Sequence, residues 1–133
     1  MQHVRSTLRA LLGGFMVLAG VNHFLNPRLY LQIMPPYLPW HEALVAISGG
    51  FQVGLGLLVF VPRYRRLAGW GIVALLIAVF PANLHMALNP DRFARIPQWA
   101  LWLRLPLQAV LIAWAEWCTR VPAPRPSSAE RVV

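Results

Sequence analysis

The stretch RLAGWGIVALLIAVFPANLHMAL, residues 66–88, decides the fold. After Arg66 it runs to Leu88 without an arginine, lysine, aspartate or glutamate. A helix rises about 1.5 Å per residue, so roughly 20 mostly apolar residues cross the hydrocarbon of a bilayer. Three further windows, residues 7–25, 41–61 and 97–118, meet the same length and composition. None shows the period-2 alternation of a barrel strand. The expected architecture is therefore all-α, a four-helix transmembrane bundle formed by residues 1–118.

Composition supports this reading over a soluble domain. Hydrophobic residues make up 58% of the 133 and charged residues 12%, against about 25% charged in a soluble globular chain. The net charge is +8, carried wholly by arginine, with Glu42, Asp91, Glu116 and Glu130 as the acids. The arginines sit in small groups between apolar runs and form no basic stripe, so nucleic acid is not an expected partner. The lone Cys118 excludes an internal disulfide and a C-x-x-C redox pair. Arg5 and Arg9 precede an apolar stretch as in a secretory signal, but no A-x-A-like cleavage site follows. The first window reads as a retained helix.

The linkers carry helix breakers. Residues 26–40 hold Pro27, Pro35, Pro36 and Pro39 beside Tyr30, Tyr37 and Trp40, and their centre, Arg28 to Met34, reads as a short interfacial segment between helices one and two. Residues 62–66 form a tight link, so the second and third helices should be antiparallel neighbours. The tail, residues 119–133, is rich in proline and serine and reads as disordered and cytoplasmic. Eight arginines (5, 9, 63, 65, 66, 120, 125 and 131) flank one side of the windows; Arg28, Arg92 and Arg95 flank the other. The positive-inside rule places both termini in the cytoplasm. A faint repeat also shows: the first and third helices each end in His, then Leu-Asn-Pro, then an arginine near an aromatic.

Polar groups are costly in hydrocarbon, so those inside the windows are the candidate site. His23 and His85 lie within about 3–5 Å of the outer boundary, Ser48, Asn83 and Arg104 about 7–11 Å deep, and Gln52 and Gln108 about 16 Å deep. Arg104 with Gln108, and Ser48 with Gln52, are i,i+4 neighbours on one helix face. If these faces meet, they line an outward-facing pocket. Arg104 stands out, because an arginine near a helix centre costs about 2.5–3.5 kcal/mol on insertion scales. Among the acids, Glu116 lies about 18 Å further in along the same helix, and Glu42 alone sits at the outer side of a span. Its other candidate partners are the carbonyl of Trp102, freed by Pro106, a bound anion, or a quinone carbonyl. Alternatively, it snorkels outward in a structural role. No spacing motif marks a metal or haem site. The G-x-x-x-G of Gly50 to Gly54 permits close helix packing, assigned to the bundle, with a homodimer as the alternative.

Taken together, GVNHF (20–24), MPPYLPW (34–40), ISGGFQVGLGLLV (47–59), residues 65–88 and LRLPLQAVLIAW (103–114) resemble the DoxX family of small four-helix bacterial membrane proteins. The resemblance covers nearly the whole chain before the tail. It implies an inner (cytoplasmic) membrane location. Some members resemble the membrane subunit of a thiosulfate:quinone oxidoreductase, and others resemble partners in oxidative-stress complexes. The implied function is a redox-linked subunit binding a quinone or an anionic sulfur species near Arg104. A non-catalytic scaffold or assembly partner of a redox enzyme is the alternative. The family often carries glutamate where this chain has Gln52, so the charge pair such a glutamate could make with Arg104 is missing. No nucleophile–base pair or phosphate loop points to independent catalysis.

Overall fold

The computed structural model describes residues 1–121, and every regular element in that range is helical. Five α-helices follow one another: α1 Gln2–Leu25, α2 Pro27–Ile33, α3 His41–Leu58, α4 Arg65–Leu88 and α5 Gln98–Thr119. Short 3-10 turns at Pro62–Tyr64 and Pro90–Phe93 lead into α4 and away from it. Segments Gln2–Leu25, His41–Leu58 and Pro62–Leu88 are long and apolar enough to cross a membrane. With 22 residues, α5 is about 33 Å long. Its mean hydropathy is reduced by Arg104, Gln108, Glu116 and four tryptophans, residues a span accepts only with partners or at its ends.

Set beside the expected windows, the helix ends show three differences. The first helix begins at Gln2, earlier than residue 7, and the second stops at Leu58, short of residue 61. Thr119, assigned to the tail, instead closes α5 and is 1% exposed, its hydroxyl donating to the Ala115 carbonyl at 2.7 Å. Residues 122–133 of the expected tail lie outside the described residues.

Two dense helix pairs, α1 with α3 and α4 with α5, are joined along the lighter seams α3–α4 and α1–α5. In the first pair, glycines set the distance. A Cβ on Gly13 would lie 2.9 Å from the Gly56 carbonyl oxygen, and one on Gly56 would lie 2.9 Å from that of Gly13. A Cβ on Gly20 would lie 2.8 Å from the Gly49 carbonyl oxygen. Each helix thus presents glycines seven residues apart, two turns, and the backbones touch at both levels. The expectation for Gly50 and Gly54 is corrected here. A Cβ at either would meet nothing within 4 Å, because a four-residue step from Gly50 stays on the face turned away from α1. In the second pair, Gly69 lies under the Thr119 side chain.

The chain's two described ends lie together. Arg5 donates to the carbonyls of Trp117 (2.8 Å) and Arg120 (2.6 Å), and Arg9 to that of Cys118 (3.1 Å). These are the final carbonyls of α5, which lack partners within the helix and carry its negative dipole end. Arg66 forms a bidentate pair with Glu116 at 3.0 Å, and Arg120 joins the same carboxylate at 3.3 Å. At the opposite end, α2 lies across the bundle, with Ile33 packed against the buried Met86, Ala87, Phe93 and Leu101. Large apolar side chains cover the outside; Leu18 is 73% and Trp70 63% exposed. Such a surface is compatible with contact to a lipid bilayer.

Candidate functional site

The buried apolar residues form two separate clusters. One, near the termini, centres on Leu12, Met16, Val59, Ile72 and Ala115. The other, near α2, centres on Met86, Phe93 and Leu101. Asn83 and His85 on α4, with Arg104 and Gln108 on α5, fall on the stretches between these clusters, so along this helix pair the apolar core is interrupted by a polar layer.

The tightest part of that layer joins α4 to α5. Gln108 is 4% exposed, accepts from Asn83 Nδ2 at 3.0 Å and donates to the Leu76 carbonyl. Proline at position 81 lacks an N–H and crowds the preceding turn, opening the backbone ladder of α4 near that carbonyl. The Gln108 amide therefore bonds a carbonyl one residue before Ile77, whose usual donor Pro81 removes, and both its ends are committed to the bundle.

His85 lies one turn further towards α2. Asn89 Nδ2 donates to the His85 carbonyl at 2.8 Å and lies 3.2 Å from His85 Nδ1. With Nδ1 as acceptor, the neutral ring carries its proton on Nε2. That nitrogen is buried and has no partner among the described residues. Arg104 is exposed on α5, and one guanidinium nitrogen lies 3.2 Å from Met86 Sδ. A thioether is a weak acceptor and offers no charge. No acid pairs with Arg104 among the described residues. Its partner is thus Met86 rather than the carbonyl of Trp102.

The remaining three residues belong to the other helix pair. His23 donates from Nδ1 to the Ala19 carbonyl at 2.9 Å and stacks on Tyr30 of α2, with ring centroids 3.7 Å apart. Asn22 Nδ2 donates to the Tyr30 hydroxyl at 2.7 Å. Ser48 and Gln52 are half-buried on α3. The structure thus brings together Asn83 with Gln108, and Met86 with Arg104, while His23 is engaged with α2. Two concavities are described, one lined by Leu38, Trp40 and His41 and the other at the termini; neither includes any of the seven candidates.

Residues 12–119 match the model of a family described as a domain of unknown function, DUF8561. The chain belongs to that family. The DUF8561 region contains all seven candidate residues, while Arg5, Arg9 and Arg120 lie outside it. No curated protein and no solved structure matches the chain.

Asn22, Tyr30, Met86 and Asn89 take part in the layer without having been singled out from sequence. The usable signal was the doubled Asn-Pro turn. Asn26 (φ −129°, ψ 58°) and Asn89 (φ −126°, ψ 59°) adopt nearly the same conformation, each followed by a short helical turn. Each amide reaches back four residues, Asn26 to Asn22 and Asn89 to His85. The repeat therefore equates His85 with Asn22 rather than with His23.

Proposed function

We propose that the chain is a DoxX-like protein of the inner membrane, crossing it four times with both termini cytoplasmic. In this reading it serves as a redox-linked membrane subunit that binds a lipid-soluble quinone against Arg104. The fourth crossing is supported by α5 packing closely on α4, itself long and apolar enough to span. The orientation is supported by the arginine asymmetry, with Arg5, Arg9, Arg65 and Arg120 gathered at one end.

One observation carries the quinone: an exposed guanidinium, part-way along an apolar helix, whose only side-chain acceptor among the described residues is a thioether. In hydrocarbon, its other N–H groups need an acceptor, and a quinone carbonyl arriving from the lipid phase supplies one. Trp99 and Trp102, both exposed near Arg104 on α5, offer aromatic surface for the ring and an optical readout. Titration of the purified protein with a short-chain quinone should quench tryptophan fluorescence. Arg104→Ala should weaken binding about tenfold, the effect of losing one charge-assisted hydrogen bond. Equal affinity in variant and parent removes Arg104 from the function.

A second reading, a scaffold for a redox enzyme, is favoured by the apolar surface around the same arginine. Leu103, Leu107 and Val110 are each at least half exposed. A partner helix bearing one carboxylate would pair Arg104 and cover that face. Affinity purification distinguishes the two: a stoichiometric partner lost with Arg104→Ala, alongside no quinone binding, selects the scaffold.

A further inference from the structure

Apart from the candidate site, the structure holds a concavity lined by charged residues at the end where the described termini meet. It has a volume of about 390 Å³ and is lined by four arginines, Arg5, Arg9, Arg65 and Arg120, with Gln2 and Ser6 beside them. That volume lies in the range of about 300–1,000 Å³ typical of small-ligand sites. Among the described residues, no acid lines it. The nearby carboxylate, Glu116, is held by Arg66 from both oxygens and shared with Arg120.

The arginines come from α1, the start of α4 and the end of α5, so no single sequence segment encodes the cluster. Backbone carbonyls fix three of them. Arg5 is bound to Trp117 and Arg120, Arg9 through Nε to Cys118, and Arg65 through Nε to Val59 at 3.2 Å. Capping helix ends accounts for these bonds but not for the rest of the guanidinium donors, five per arginine. Nor does it account for Arg5 Nε, which is buried and has no partner among the described residues. Simple snorkelling would spread like charges into water; here they converge on one partly open space.

The geometry points to a binding site for the phosphate of an anionic lipid headgroup. Guanidinium forks match phosphate oxygens in pairs, and a multiply charged anion offsets the mutual repulsion of the four cations. Basic pockets at the cytoplasmic ends of membrane helices suit this headgroup chemistry. The inference rests on the membrane reading above but not on quinone binding.

The test is native mass spectrometry of the full chain in mild detergent, with cardiolipin, phosphatidylglycerol or phosphatidylcholine added. The parent should retain the anionic lipids in preference to phosphatidylcholine. The double variant Arg9→Gln/Arg65→Gln should lose that preference by roughly tenfold or more. Arg63→Gln, exposed outside the concavity, should leave it unchanged. Millimolar inorganic phosphate discriminates the source: retention of lipid in its presence assigns the site to headgroups, and displacement assigns it to soluble phosphate. Equal retention of anionic and zwitterionic lipid by the parent overturns the site, as does full retention by a folded double variant. The parent's preference decides even if the double variant does not fold. Failure of the membrane reading would show separately, as a protein monodisperse without detergent.

Discussion

Replacing Gly20 with leucine should disrupt the pairing of α1 with α3, whereas Gly54→Ala should leave the fold intact. At Gly20, a Cβ would lie 2.8 Å from both the Gly49 carbonyl oxygen and the Val53 amide nitrogen. Backbone atoms cannot swing aside as a side-chain tip can, so the helices must separate along the contact. Overpacking of this kind costs roughly 1–3 kcal/mol. The cost should lie near or above the upper end here, because the Gly13–Gly56 contact two turns away is strained by the same displacement. At Gly54 there is open space, and the better helix propensity of alanine contributes up to about 1 kcal/mol in the opposite direction. Thermal unfolding in detergent would check both. A Gly20→Leu protein as stable as the parent would mean that α1 and α3 do not pack backbone to backbone.

The second large effect concerns the amide bridge from Gln108 to α4 near Pro81. Gln108→Leu should destabilise the protein by about 1–2 kcal/mol, since it leaves Asn83 Nδ2 and the Leu76 carbonyl without their bond in an apolar interior. Asn83→Leu should cost less, because Gln108 keeps its bond to Leu76. The double variant should recover part of the loss, as both members of the Asn83–Gln108 pair become apolar together. A double-mutant cycle by denaturant titration should give a coupling of about 0.6–1.7 kcal/mol. Additive single effects would show that the two amides do not act as a unit.

Much of the fold was legible because its breakers are local. Asn26-Pro27, Pro39-Trp40 and Asn89-Pro90 stop or start helices within one or two residues of the positions read from sequence. What resisted reading was rotation about each helix axis. Gly50 and Gly54 have the familiar spacing, yet the packing glycines are Gly49 and Gly56, at a seven-residue step. In an all-apolar helix, every face looks equally suited to the interior, so composition gives no orientation. The same holds for the candidate site. Gln108 is buried and committed, while Arg104, one turn away on the nominally shared face, is exposed. Long-range partners were equally invisible: Glu116 is paired with Arg66, fifty residues distant in sequence.

The bonds from Arg5 to Trp117 and Arg120 span 112 and 115 positions of the chain, and those from Arg9 and to Leu8 span 109 and 106. Synthesis proceeds from the amino terminus, so these contacts of α1 must wait until α5 has been made. The seam between α1 and α5 can therefore close only after the helices between them exist, as a clasp of one helix on another far from it in sequence.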